Sequence, residues 1–133
     1  MSMEDFDKKW NEFENKCRAC NNCGLRAGCQ NVVIYRGGRH APLMIVGEAP
    51  GEQEDIKGIP FCGRSGQLLQ NLLASYGFGD NDYHICNIAK CRPPQNRRPT
   101  AEEIKASWQD DIRTFREQRK PYLLYEDNPG SYR

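Results

Sequence analysis

An apolar run, Pro42-Leu43-Met44-Ile45-Val46, passes directly into Gly47-Glu48-Ala49-Pro50-Gly51-Glu52-Gln53-Glu54-Asp55, and this junction constrains the chain most. A short apolar run without helical period, bounded by glycine and proline, predicts a buried strand. A Gly-rich acidic turn behind such a strand lies where open α/β sheets hold ligands, at the carboxyl ends of the strands. Tyr83-His84-Ile85-Cys86-Asn87-Ile88 predicts a second core strand, Pro121 to Tyr125 a third, and Asn31 to Tyr35 a short β-like piece. Helical stripes lie between them. Phe6, Trp10, Phe13 and Cys17 share one face, as do Leu68, Leu69, Leu72, Leu73 and Tyr76, which Gly77 closes. Thr100-Ala101-Glu102-Glu103 is a capping box opening a helix with Ile104, Trp108, Ile112 and Phe115 on its apolar side. Strands separated by helices predict an α/β fold of three layers, α/β/α, around a short central parallel sheet.

At 133 residues the chain reads as one domain, with a helix and Cys-rich loop over 1–30 and an irregular polar tail over 126–133. The 19 basic and 18 acidic residues nearly cancel, which excludes a generally basic nucleic-acid binder and leaves DNA contacts to local clusters. Lys90, Arg92, Arg97 and Arg98 form such a cluster in a Pro-rich loop and are candidates for holding phosphates. No apolar run has membrane-spanning length, and the acidic, aromatic N-terminus is no signal peptide, so a cytoplasmic location and no membrane partner are expected.

Seven cysteines is an odd number, and without a secretory signal this argues for metal ligation over a disulfide framework. Cys17, Cys20, Cys23 and Cys29 crowd together, and Cys91 follows the second strand closely enough to converge on them. Soft sulfur ligands select an iron–sulfur cluster, zinc or copper. Cys62 and Cys86 read as small apolar packing residues.

Taken together, the Gly47–Asp55 turn, Pro60-Phe61-Cys62-Gly63-Arg64-Ser65-Gly66, Asn87 and Lys90-Cys91-Arg92-Pro93-Pro94 resemble the iron–sulfur uracil-DNA glycosylases, nearest family 4, from about Cys17 to Leu124. The resemblance implies a protein of base excision repair that recognises uracil in DNA and hydrolyses its N-glycosidic bond. It implies that Phe61 stacks on the base, that Asn87 reads its edge, and that Glu48 helps place the attacking water. The surrounding loop contributes Gly47, Ala49 and Gly51, with Glu54 and Asp55 orienting it. It further implies a [4Fe–4S] cluster, with zinc as the alternative, held by Cys20, Cys23 and Cys91. The fourth family position holds Ser107, so a serine oxygen, a substitute thiolate from Cys17 or Cys29, or an incomplete cluster all stand open.

Members of the resembled family continue beyond the third strand to a His-Pro segment that stabilises the departing base. This sequence shows no such motif, and its only histidines are His40 and His84. Relative to that family the fold is expected to be shortened. Besides a glycosylase, the pattern therefore fits an inactive DNA- or partner-binding module, or half of a split enzyme whose second chain completes the sheet.

Overall fold

The computed structural model describes residues 2–119 and Pro121; the side chains of 107–112, 115 and 119 fall outside that description. The expected third strand beyond Pro121 and the tail over 126–133 also lie outside it. Helix α1 spans Met3–Ala19 and opens on a capping box in which Ser2 Oγ accepts from the Asp5 amide at 3.1 Å. Helix α2 is Leu25–Gly28, and strands β1 and β2 are Tyr35–Gly37 and Leu43–Gly47. Helices α3 (Glu52–Lys57) and α4 (Arg64–Ser75) precede strand β3, Tyr83–Asn87. A 3₁₀ turn at Pro94–Asn96 leads to α5, Ala101–Arg119. Its predicted capping box is formed: Thr100 Oγ1 accepts from the Glu103 amide at 3.2 Å, and Glu103 Oε2 accepts from the Thr100 amide at 2.8 Å.

The α/β class holds, but the sheet is mixed rather than wholly parallel. Its order is β1-β3-β2, with β2 parallel to β3 and β1 antiparallel. The short connection over residues 38–42 accounts for this, since a parallel return takes about a dozen residues or more. Gly37 makes the turn with φ of 97°, and a side chain there would strike the Tyr83 carbonyl. The β-like piece expected over 31–35 is thus shifted towards Arg36 and Gly37.

All of β3 is buried, whereas Met44 and Val46 of β2 are 59% and 54% exposed. Strand side chains alternate between faces. One face carries His84 and Cys86 beside Met44 and Val46; the other carries Tyr83, Ile85 and Asn87 beside Ile45 and Gly47. Helix α1 covers the first face. Its Trp10 ring lies edge-on to Tyr35 and His84 at 4.9 and 5.2 Å, and those two rings stack at 5.0 Å. Arg39 fastens the helix by donating to Tyr35 Oη and to Glu14. No described helix is long and apolar enough to cross a membrane.

Candidate active site and cysteine cavity

The carboxyl ends of β2 and β3 lie side by side, with Gly47 paired to Asn87. The parallel ladder continues past both strands, because the amides of Ile88 and Ala89 donate to the carbonyls of Gly47 and Glu48 at 2.9 and 3.0 Å. The Glu48 backbone is thereby fixed to the segment after β3. Asn87 is 3% exposed and Gly47 separates it from the Phe61 ring. A methyl group on Gly47 would meet Asn87 Oδ1 and press on Phe61 Cζ, so only glycine leaves the amide and the ring where they stand.

Phe61 has φ of 54°, the left-handed region that non-glycine residues enter at a cost. Two neighbours hold it there. Arg36 Nη1 donates to the Phe61 carbonyl at 3.2 Å, and Gly66 of α4 lies so close to the Phe61 backbone that a Cβ would collide with it. Arg36 Nη2 is buried without a partner among the described residues. Nothing in the sequence singled out Arg36, because its partner lies 25 residues away.

Glu48 and Asp55 take different parts. Both carboxylate oxygens of Glu48 accept from Arg98, at 3.1 and 3.2 Å, in an exposed fork-like pair. Asp55 is 2% exposed, and its Oδ1 accepts from the amides of Gln30 and Asn31 at 2.8 and 3.0 Å. Asn31 Nδ2 donates back to the Asp55 carbonyl at 2.6 Å. Asp55 thus fastens the turn after β2 to the end of the Cys-rich loop. Glu54 lies against Gly51 and Gly63, where a Cβ on either glycine would sit 3.3 Å from its carboxylate. Gly51 is the extended N-cap of α3, and Ala49 and Pro50 carry the chain to it.

The basic cluster is largely engaged within the molecule. Lys90 Nζ donates to the Asn87 carbonyl at 2.7 Å, and Arg92 Nε donates to Asn96 at 2.7 Å. Arg97 forks onto Glu103 at 2.9 and 2.7 Å, and this holds the Glu103 carboxyl down at about 2. His84 Nδ1 donates to the Gly38 carbonyl at 3.2 Å; burial above all, and the nearby Lys90, lower its pKa. His40 pairs with Asp7 of α1 at 3.2 Å, so neither histidine stands at the Asn87–Phe61 site.

On the opposite face of the sheet Cys17, Cys20, Cys23, Cys86 and Cys91 border one cavity of about 370 Å³, closed in part by Met44 and Val46. Every cysteine is a free thiol. Cys29 neighbours Cys91, and its own Sγ accepts from Arg26 Nη1 and donates to the Arg26 carbonyl. Burial, followed by the nearness of Cys29, pushes the Cys91 thiol up to about 12. Cys62 stands apart beside Glu54. Among the described residues no three His, Cys, Asp or Glu side chains are drawn together tightly enough for a single metal ion. The Ser107 side chain lies outside the described residues.

The site thus comprises an aromatic ring and a buried amide at the strand ends, with a thiol-lined cavity beside the sheet. The model of the Uracil DNA glycosylase superfamily matches residues 34–125, and the chain belongs to that superfamily. It is 47% identical over 91 residues to the type-4 uracil-DNA glycosylase of Thermotoga maritima, covering 68% of this chain and 47% of that protein. The type-4 uracil-DNA glycosylase of Archaeoglobus fulgidus is 47% identical over 103 residues, covering 77% and 50%. A DNA polymerase of Bacillus phage SP01 is 38% identical over 73 residues, 54% of this chain and 8% of that protein. The chain spans about half the length of the two glycosylases.

Proposed function

We propose that this chain recognises uracil in DNA and belongs to an enzyme that hydrolyses the N-glycosidic bond of deoxyuridine, acting in base excision repair. The observation that carries this reading is Asn87, buried at the end of β3 and parted from the Phe61 ring only by Gly47. A base-flipping enzyme needs a stacking face and an edge reader in one pocket. The Asn87 carboxamide offers one acceptor and two donors, which complement the N3–H and O4 of uracil. Water would add at C1′ while uracil leaves with the bonding pair. The Glu48 turn, held by the Ile88 and Ala89 amides, would position that water, with Gly47, Ala49 and Gly51 forming the floor. Arg92 is the candidate phosphate contact. Lys90 and Arg97 would join it only by releasing Asn87 O and Glu103.

The cofactor of this reading is a [4Fe–4S] cluster in the cysteine cavity, with Cys20, Cys23 and Cys91 among its ligands. Five cysteines around one cavity supply the soft sulfur donors that a [4Fe–4S] cluster takes. Bound there, it would cross-link the end of α1 to the segment after β3, a structural role that requires no electron transfer.

One observation favours a second reading, a binding module without catalysis: Glu48 is fully engaged by Arg98 and neither histidine stands at the site. Incubation with a uracil-containing oligonucleotide, followed by alkaline cleavage at abasic sites, separates the two. Glycosylase activity that falls at least about 100-fold in Asn87→Ala, as expected for losing paired buried hydrogen bonds, supports the enzyme. Tight uracil-dependent binding without abasic product supports the module. Equal activity in wild type and Asn87→Ala overturns the pocket.

A further inference from the structure

We propose that Cys17 supplies the fourth thiolate of the cluster, so that the run Cys17, Cys20, Cys23 and the remote Cys91 form the ligand set and Ser107 is not a ligand. This rests on the cluster reading above. Three features of the chain carry it. The spacing Cys17-x₂-Cys20-x₂-Cys23 is that of the ferredoxin run, in which three closely spaced thiolates hold one cluster and a distant cysteine completes it. All four sulfur-bearing residues border the same cavity. Finally, α1 ends where the run needs to bend: Cys17 occupies its last turn, and Cys20 is an extended C-cap with ψ of 133°, its amide donating back to Cys17 O at 3.3 Å. That bend turns the chain from helix into loop between the first two thiols.

The two other cysteines nearby are worse placed. Cys29 neighbours Cys91 but does not border the cavity, and its Sγ is engaged by the carbonyl and guanidinium of Arg26. There it suits an outer hydrogen-bond partner that orients a ligand. Cys86 borders the cavity from the middle of a fully buried strand, where the β1 and β2 ladders fix its backbone and leave no freedom to reach a cluster corner. Cys17 differs in standing at a helix end that no strand restrains.

Anaerobic reconstitution with ferrous iron and sulfide tests this on wild type and on Cys17→Ala, Cys29→Ala, Cys86→Ala and Ser107→Ala, reading iron, acid-labile sulfide and the electron paramagnetic resonance spectrum. Wild type should carry about four irons, and Cys17→Ala no more than about three, with the signal of a three-iron cluster or none. Cys86→Ala and Ser107→Ala should match wild type, and Cys29→Ala, which removes only an outer partner, should still reach about four irons while holding them less tightly. A full complement in Cys17→Ala, or a loss in Ser107→Ala or Cys29→Ala alone, overturns the assignment while the cluster reading survives. A wild type that binds no iron overturns both. Alkylation guards against a misfolded variant: Cys17 of the native chain should be protected in iron-loaded protein and labelled after chelation, with Cys62 labelled equally in both. Equal labelling of Cys17 in both states counts against the proposal.

Discussion

Phe61 concentrates the cost of this site. Its left-handed backbone is tolerated because Arg36 holds its carbonyl and because Gly66 lets α4 approach, so the ring beside Asn87 is placed by the fold itself. Pre-placement of this kind lowers the ordering penalty that binding would otherwise carry. Gly47 is the complementary device. Gly47→Ala should leave the chain folded with a loss of about 1–3 kcal/mol, as for other overpacked interiors, yet displace Phe61 or Asn87 and abolish uracil excision. Urea denaturation beside the excision assay checks both parts, and an alanine variant of normal activity would refute the close packing. Sequence order marked Phe61, Asn87 and the Glu48 turn as candidates because their motifs are local, and the fold brings Phe61 and Asn87 together around Gly47. It did not reveal Arg36, nor that Arg98 would bind Glu48 from 50 residues away, since such pairs exist only after folding.

At the level of elements, periodicity identified α1, α4 and α5, and the Thr100–Glu103 box lies where its spacing put it; apolar runs located β2 and β3, but β2, expected to be buried, leaves Leu43, Met44 and Val46 exposed. Helix α3 escaped because Glu52–Lys57 has no apolar stripe; Gly51 before it and left-handed Gly58 after it bound it instead. The direction of β1 escaped as well, being set by a connection too short for a crossover. The seam between α1 and the sheet makes a pH prediction. Burial lowers the His84 pKa, so the unfolded chain binds its proton more readily than the folded one. The stability from neutral His84 is therefore complete above the unfolded value of about 6.5 and is lost as pH falls through the lower folded value. Urea midpoints should drop between neutral pH and pH 5, and a His84→Phe variant should show less of that slope. Identical slopes would place the titration elsewhere.

For the whole molecule, the sheet separates two kinds of chemistry, with the thiol-lined cavity under α1 and the Asn87–Phe61 site on the other face. Asn87 borders both, and Lys90, which also lines the cavity, donates to the Asn87 carbonyl. If the cavity holds a structural cluster, its removal should release α1 first. A chelator is then expected to lower Tm by more than about 5 °C, because the free energy of metal binding is folding free energy. Circular dichroism melts with and without chelator test this, and an unchanged Tm would deny the cluster a structural role.

If β3 is a wall with a tenant on either side, as proposed, the two tenants can change at different rates. On the reading proposed above, which sulfur atoms grip a cofactor can differ on one side, Cys17 at a helix end in place of a thiol elsewhere, while the base side feels the change only through Lys90 and Asn87. The partition makes the specificity of the pocket heritable separately from the means of bracing it, and relatives that read the same base need not share the same clasp.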